Sequence, residues 1–210
     1  MMDRLHLSTI LLVASVIWGV LLVLDGVVVS IGWLHHLSIV TGVVLLLLAA
    51  FDVFLWRLPV LHPWSVKRPM IDGTWRASLV SNWIEPVTHQ TISTISAYMV
   101  VRQTFSKLSL RLITAESRSE LLGAEILRAG DGPYRVTGIY RNEPKHSFRD
   151  RSPIHYGGLV LQVLGAPPNK LEGHYWTDRN TAGEIVFSEQ RRIHADDLIS
   201  AKALYGEANG

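Results

Sequence analysis

Residues 107–115 read Lys-Leu-Ser-Leu-Arg-Leu-Ile-Thr-Ala, and this stretch indicates the fold of most of the chain. A leucine stands at every second position from Leu108 to Leu112, and Ser109 and Arg111 fall between the leucines. Successive side chains of a β-strand point to opposite faces, so the pattern predicts a strand with one buried and one solvated face. Strands of this kind are typical of antiparallel sheets.

Similar bursts of alternation occur on both sides of this stretch, separated by turn residues such as Gly, Pro, Asn and Asp. The eight predicted strands are 74–82, 97–105, 107–115, 120–128, 134–142, 155–164, 171–177 and 184–192. Eight antiparallel strands can close into a barrel, which leaves no exposed edge. We therefore expect a lipocalin-like, eight-stranded antiparallel β-barrel over residues 69–195, with an open sandwich as the alternative. A short helix is expected in the tail, residues 196–210.

The first part of the chain has a different composition. Only 18% of the 210 residues are charged, against about 25% in ordinary soluble domains, and none of these lies in 7–24 or 26–51. A membrane-spanning helix requires about 20 mostly apolar residues, and two such stretches, 7–31 and 34–56, flank a joint at 32–36. The sequence therefore predicts two transmembrane helices in residues 1–56 and a linker over residues 57–68. A signal peptide, the competing interpretation, has a shorter apolar core.

Positive charges indicate how this hairpin is oriented. The flanking Lys and Arg residues are Arg4 before the first span and Arg57, Lys67 and Arg68 after the second. The joint between the spans has none. Positive residues favour the cytoplasmic side, so both termini and the barrel are expected in the cytoplasm. Asp25 and Asp52 interrupt the spans; they either reach water at an interface or mark a functional site.

The predicted strand directions bring the long loops to one rim of the barrel. Odd-numbered strands run away from the linker, so loops 83–96 and 143–153 lie at the far rim. There the inward faces become polar, through Ser81, Tyr140, Asn142, His155, Thr177 and Arg179, together with Tyr98 from the second strand. Aromatic rings, amides, hydroxyls and a guanidinium suit a nucleotide. The alternative interpretation is that these are ordinary solvated strand ends.

Sequence motifs of common enzymes are absent from the chain. It contains no glycine-rich P-loop, no His-Glu-x-x-His and no Gly-x-Ser-x-Gly, and it has no cysteine to form a disulfide or bind zinc. We therefore expect a protein that is not an enzyme, with no cofactor and no metal site.

Three motifs in this order resemble one family. They are Pro69-x-x-Asp72-Gly73-Thr74-Trp75, Tyr140-x-Asn142-x-Pro144 and Gly173-x-Tyr175-x-Thr177-x-Arg179-x-Thr181-x-Gly183. Together with the apolar N-terminal hairpin, they resemble the two-transmembrane β-barrel effectors of bacterial CBASS anti-phage systems, the SMODS-associated 2TM β-strand-rich family. The resemblance covers nearly the whole chain.

The resemblance implies a function. In such systems a CD-NTase enzyme makes a cyclic di- or oligonucleotide, which the barrel binds; the effector then self-associates and disrupts the inner membrane. It implies that Tyr140, Asn142, Tyr175, Thr177 and Arg179 contact the ligand. The expected partners are the cyclic nucleotide, the lipid bilayer and further copies of the chain, with no DNA or RNA polymer. Two alternatives remain open: a membrane-anchored carrier of an apolar small molecule, and a membrane scaffold that binds no ligand.

Overall fold

The computed structural model describes residues 4–24, 26, 31–61, 66–84, 94–128, 130 and 132–207. The chain divides into two compact units, residues 1–51 and residues 52–210. The first contains helix α1, Arg4–Leu24, and most of helix α2, Ile31–Val53. Among the residues whose side chains the structure describes, no helix is long and apolar enough to cross a membrane.

The joint between the two helices was predicted in the wrong place. Residues 32–36 lie inside α2, and the break falls between Leu24 and Ile31. Gly26 adopts a φ of +72°, in the left-handed region that ends helices and favours glycine. The aromatic and histidine residues of the predicted joint are compatible with a helix, so they did not end one. Asp25 lies outside the described residues.

The second unit contains a closed barrel of eight antiparallel strands, as predicted. Its strands are β1 (Gly73–Ser81), β2 (Ile95–Gln103), β3 (Leu108–Thr114), β4 (Ser117–Arg128), β5 (Tyr134–Pro144), β6 (His155–Leu164), β7 (Lys170–Thr177) and β8 (Ala182–Arg191). Each strand pairs with the next, and β8 closes the barrel by pairing with β1. Helix α3, Leu198–Leu204, follows the barrel and confirms the short helix expected in the tail.

Apolar side chains fill the interior of the barrel. Trp75, Leu161, Leu171 and Phe187 are buried in one core cluster. The indole nitrogen of Trp75 donates to the Ile71 carbonyl oxygen at 2.8 Å, which satisfies its one polar group inside the core. The half of the barrel nearest to Gly73 is therefore packed with side chains.

The predicted linker is part of the barrel unit at both of its ends. The side chain of Arg57 donates to the Gln103 carbonyl oxygen at 2.5 Å, and Val66 is buried. Buried Gln103 accepts from the Ile71 N–H at 2.9 Å and donates to the Pro69 carbonyl oxygen at 2.9 Å. These bonds attach the segment before β1 to the end of β2.

Asp72 joins the same end of the barrel to the segment after β8. Its carboxylate accepts from the Gln103 N–H at 2.9 Å and lies 3.5 Å from Arg57 and 3.3 Å from His194. Near by, Asp52 accepts a hydrogen bond from the Ser106 N–H at 2.8 Å. We call this end of the barrel the base.

Candidate functional site

The end of the barrel opposite the base is polar on its inside. Alternate residues of each strand face inward, and the strand register brings polar residues of several strands to one level. Asn142 pairs with both Ser119 and His155, and Gly157 pairs with both Tyr140 and Thr177. We call this set the polar rim: Ser81, Ser119, Tyr140, Asn142, His155, Tyr175, Thr177 and Arg179.

Asn142 is nearly buried, and its amide is held in one orientation. The Ser119 hydroxyl donates to the amide oxygen of Asn142 at 2.7 Å, across the β4–β5 pair. The amide nitrogen makes no hydrogen bond to any of the described residues. Two amide donors therefore remain for a ligand.

Two tyrosines line the rim, and a glycine on a neighbouring strand makes room for each. A Cβ added to Gly157 would overlap the Tyr140 ring, and one added to Gly183 would lie 2.9 Å from the Tyr175 ring. The Tyr140 hydroxyl donates to the Trp176 carbonyl oxygen at 3.4 Å. Burial, together with Tyr175 and Asp178, raises the pKa of Tyr140 above its usual range. Tyr140 is therefore a neutral aromatic surface at physiological pH.

Arg179 supplies the positive charge of the rim. Its guanidinium donates to the Ser152 hydroxyl at 3.0 Å and lies 3.4 Å from the His155 ring. Within the described part of the chain, Arg179 makes no ion pair with a carboxylate. By contrast, Arg149 and Arg151 at the same end of the barrel are paired with Glu143 and Glu116. The charge of Arg179 is therefore less neutralised than the charges of Arg149 and Arg151. Its remaining N–H groups can donate hydrogen bonds to an anion.

Thr177 and Ser81 complete the rim on the β7–β8–β1 side. The Thr177 and Thr181 hydroxyls lie 2.6 Å apart, and the Arg179 N–H donates to the Thr177 hydroxyl at 3.2 Å. These bonds fix the tight turn that carries Arg179. The Ser81 hydroxyl accepts from the Trp83 N–H at 3.2 Å, and Ser81 pairs with Gly183 beside Tyr175.

The prediction that Tyr98 shares the inner face is wrong. Ala97, Met99 and Val101 are the inward residues of β2, and Tyr98 faces out beneath the C-terminal segment. There it stacks on Tyr205, with ring centroids 5.6 Å apart, and donates to Glu207 at 2.5 Å. A shift of one residue in the assumed alternation moves a side chain to the opposite face of the strand. The outward residues Tyr98 and Val100 are apolar enough to resemble core residues, so the alternation of β2 was ambiguous.

Sequence reasoning missed one residue of the rim, Ser119, and two residues that contact the rim, Ser152 and Thr181. Ser119 was omitted because β4 begins at Ser117 and not at residue 120. The alternation of Ser117, Ser119 and Leu121 was the available signal. Ser152 and Thr181 lie in loops and make no periodic pattern. The fold brings Ser152 to Arg179, and the turn after β7 brings Thr181 to Thr177.

The described residues also form two clefts on the outer wall of the barrel. The larger, of about 280 Å³, is lined by Arg76, Ser78 and Ser188, among others. Arg76 is already paired with Glu189 and Glu207. Its charge is therefore neutralised, and the rim is the better candidate for a ligand. Across the described segments, no group of three His, Asp or Glu side chains is placed to hold a metal ion.

The fold and the rim define a class of protein: a closed barrel with an apolar interior and a cluster of polar groups at one end. The sequence then assigns the family. Residues 66–189 match the sequence profile of the Cap15 cyclic dinucleotide receptor domain, and the chain belongs to this family. The resemblance inferred from the three motifs is confirmed.

One curated relative and one solved structure illustrate how far the similarity extends. CD-NTase-associated protein 15 of Staphylococcus schleiferi is 27% identical over 172 residues, which cover 81% of this chain and 88% of that protein. A redesigned β-barrel is 11% identical, with a TM-score of 0.25 over 58% of this chain and 92% of its own. The second similarity is too low to bear on function.

Proposed function

We propose that this protein is an effector of a CBASS anti-phage system and that its polar rim binds a cyclic di- or oligonucleotide made by a CD-NTase. One observation carries the proposal: the rim is built by strands inside the segment that matches the cyclic dinucleotide receptor domain. The protein acts as a receptor, catalyses no reaction and needs no cofactor.

The rim residues have the chemistry that such a ligand needs. Aromatic side chains stack on bases of any sequence, so Tyr140 and Tyr175 are the proposed stacking surfaces. The free amide donors of Asn142 are available to base edges or ring oxygens. Arg179 matches the planar, bidentate geometry of a phosphate. Ser81, His155 and Thr177 supply further polar contacts around the ligand.

The filled interior favours this function over the carriage of an apolar molecule. A lipocalin-type carrier needs an empty apolar cavity, whereas Trp75, Leu161 and Phe187 occupy the interior of this barrel. A ligand must therefore lie across the rim, where the groups that meet it are polar. Tyr140, Asn142 and Thr177 are buried in the rim, whereas His155, Tyr175 and Arg179 are partly exposed and are the groups that a ligand meets first.

The apolar N-terminal region is the proposed membrane-acting part. Its two long apolar segments anchor the protein in the inner membrane, with both termini and the barrel in the cytoplasm. Ligand binding drives self-association of the barrels, and each barrel brings a pair of apolar helices. Clustering raises their local concentration, and the clustered helices disrupt the bilayer.

Calorimetry on the full chain in detergent tests the binding step. The titrants are cyclic di-AMP, cyclic di-GMP, cyclic di-UMP and cyclic trinucleotides. We expect one of them to bind, and the Arg179→Ala variant to bind it at least about tenfold more weakly, because a charge-assisted hydrogen bond contributes roughly 1.5–3 kcal/mol. Arg179→Lys should recover only part of the affinity because Lys lacks the bidentate fork.

Arg102→Ala is the matched control for Arg179→Ala. Arg102 is an exposed arginine of β2 that faces outward near the base. Its removal changes the net charge equally and should leave the affinity unchanged. Equal losses in both variants would show a general charge effect and not a phosphate contact at the rim. Failure of every cyclic nucleotide to bind the wild-type chain would overturn the proposed function in favour of a scaffold.

A further inference from the structure

The outer wall of β5, β6 and β7 exposes large apolar side chains. Ile139 is 62% exposed, Tyr156 48% and Trp176 47%. Ile139 pairs with Gly158, which pairs with Trp176, and the Trp176 ring covers Gly158. These residues therefore form one continuous surface, which we call the outer patch: Ile139, Tyr156, Gly158 and Trp176. Exposed patches that combine Trp and Tyr are typical of protein interfaces.

The opposite wall of the barrel carries a similar apolar surface, but the chain covers it. Tyr98, Val100 and Ile113 face outward from β2 and β3 and are buried by Ala201 and the rest of the C-terminal segment. Among the residues that the structure describes, no element covers the outer patch.

Charged residues flank the outer patch with opposite signs on its two sides. On β5, Arg135 and Arg141 lie on either side of Ile139 along the strand. On the β7 side, Glu172 and Asp178 lie on either side of Trp176.

The strand register brings each arginine to the level of an acidic residue. Arg135 pairs with Gln162, which pairs with Glu172. Arg141 pairs with Tyr156, whose carbonyl oxygen accepts from the Asp178 N–H at 2.9 Å. The β5 edge of the patch, with Arg135 and Arg141 against Glu143, is thus basic on balance. The β7 edge, with Glu172 and Asp178 against Lys170, is acidic on balance, at matching levels.

We propose that the outer patch is the surface through which two copies of this chain pair, about a two-fold axis that runs along β6. Rotation about this axis places β5 of each copy against β7 of the other. Arg135 then faces Glu172 of the second copy, Arg141 faces Asp178, and Ile139 faces Trp176. The patch is complementary to itself, as a two-fold interface requires. Both copies keep the polar rim at the same end.

The existing ion pairs do not prevent this contact. Arg141 is paired with Glu143 at 3.2 Å, and Lys170 is paired with Glu172. Side chains in these pairs are about 40% exposed or more, and exposed ion pairs of this kind exchange at little energetic cost.

The pairing surface rests on the proposed function and gives the ligand a route to it. Tyr140, Tyr175 and Thr177 of the rim alternate with Ile139 and Trp176 of the patch on the same strands. The Tyr140 hydroxyl also donates to the Trp176 carbonyl oxygen. A ligand that orders the rim therefore also orders the outer face, and pairing strengthens when the ligand is bound.

Cross-linking tests the pairing, because the wild-type chain has no cysteine. Gln162→Cys places one thiol of each chain on the two-fold axis. The two thiols then face each other across packed sheets that are about 10 Å apart. Ser96→Cys, an exposed polar position on β2 across the barrel, is the control. With a bis-maleimide of that span and the full chain in detergent, we expect Gln162→Cys to give about tenfold more dimer. Equal yields, or no dimer at position 162, would overturn the proposal.

Charge reversal provides a second test in the Gln162→Cys background. Arg135→Glu and Glu172→Arg should each reduce the cross-linked dimer about tenfold, since each places like charges opposite one another. The double variant restores both opposite-charge pairs and should recover most of the yield. A double variant no better than either single variant would contradict the two-fold arrangement.

Calorimetry on the same samples separates this proposal from the proposed function. The charge variants lie on the outer wall, so their affinity for the cyclic dinucleotide should change less than twofold in dilute protein. Ligand binding without site-specific cross-linking overturns the pairing surface alone. Site-specific cross-linking without ligand binding supports the surface and overturns the proposed receptor function.

Discussion

Gly157 and Gly183 determine the shape of the rim at the scale of single residues. Each lies on the inner wall beside a tyrosine of a neighbouring strand, and neither has room for a Cβ. Without these glycines, Tyr140 and Tyr175 would have to rotate out of their present positions. The glycines are therefore needed for the aromatic surface as much as the tyrosines are.

We predict that Gly157→Ala destabilises the barrel and weakens ligand binding. The added methyl group overlaps the Tyr140 ring and the Trp176 carbonyl oxygen, and overpacking of this kind costs about 1–3 kcal/mol. Gly123→Ala is the matched control, because nothing lies within 4 Å of the place that its methyl group would take on β4. Denaturant unfolding should show a loss in the first variant and a change within about 0.5 kcal/mol in the second. Similar stabilities for the two variants would contradict the steric role of Gly157.

Gln103 illustrates how one residue can join the end of β2 to the segment before β1. It is 2% exposed and bonds to Ile71 and Pro69 through its side chain, while its backbone N–H donates to Asp72. A Gln on the inner face of a strand is an exception to the apolar pattern of β2. The exception is explained by the backbone groups of the preceding segment, which would otherwise be buried without partners.

Gln103→Leu should therefore lower the free energy of unfolding by about 1–3 kcal/mol, since it leaves a buried N–H and a buried carbonyl oxygen unpaired. Ser96→Leu, a substitution of an exposed polar residue on the same strand, is the control and should change stability little. Urea unfolding of the full chain in detergent measures both. An unaffected Gln103→Leu would show that the segment before β1 does not depend on this side chain.

At the scale of elements, α3 and the residues after it hold the outer wall of β1 and β2. Asp197 caps α3 by accepting from the Ser200 N–H at 2.7 Å. Beyond the helix, the Tyr205 hydroxyl donates to the Thr74 carbonyl oxygen at 2.8 Å. Glu207 accepts from Tyr98 at 2.5 Å and from Arg76 at 2.6 Å. The segment is fixed by ionisable groups and should respond to pH.

Both acid and alkali should loosen this segment. The hydrogen bond from Tyr98, with that from Arg76, holds the pKa of Glu207 below its usual range. A lowered carboxyl pKa stabilises the fold above the unfolded value of about 4.3, and this contribution is lost as the pH falls through that range. Burial raises the pKa of Tyr98 and of Tyr205 to about 12. Their contribution is lost as the pH rises from about 10 towards 12.

Thermal melting of the full chain at a series of pH values measures these effects. In Glu207→Gln, the melting temperature should fall less at acid pH than in the wild type, and its fall at alkaline pH (the alkaline limb) should be unchanged. Tyr205→Phe should reduce the fall at alkaline pH and leave the fall at acid pH (the acid limb) unchanged. Glu189→Gln is the control for the acid limb, because Glu189 also pairs with Arg76 but accepts no hydrogen bond from Tyr98. An identical acid limb in the wild type and Glu207→Gln would contradict the proposed role of Glu207.

At the scale of the whole molecule, the barrel has two different ends and two different outer walls. The base is closed by the core and by the hydrogen bonds of Gln103 and Asp72. The opposite end carries the polar rim. One outer wall is covered by the C-terminal segment, and the other exposes the outer patch. We propose that the polar rim binds the ligand and that the outer patch binds a second copy of the chain.

Alternation and turn residues were enough to predict the eight-stranded barrel and most of the rim. In a strand, every second residue points to the same face, so the alternation shows which residues share a face. Short turns between strands require antiparallel neighbours. These local rules were enough to bring Tyr140, Asn142, Thr177 and Arg179 to one end. The motifs around the same residues were enough to indicate the family.

Which outward residues are buried, and which loop residues reach the rim, could be seen only once the barrel was closed. Tyr98 faces outward, yet it is buried because a helix about 100 residues later in the chain packs on it. Ser152 reaches Arg179, and Ser119 holds Asn142, through contacts between segments that are distant in the sequence. Periodicity describes one strand at a time, whereas burial depends on what packs against that strand, and this is set by the closed fold as a whole.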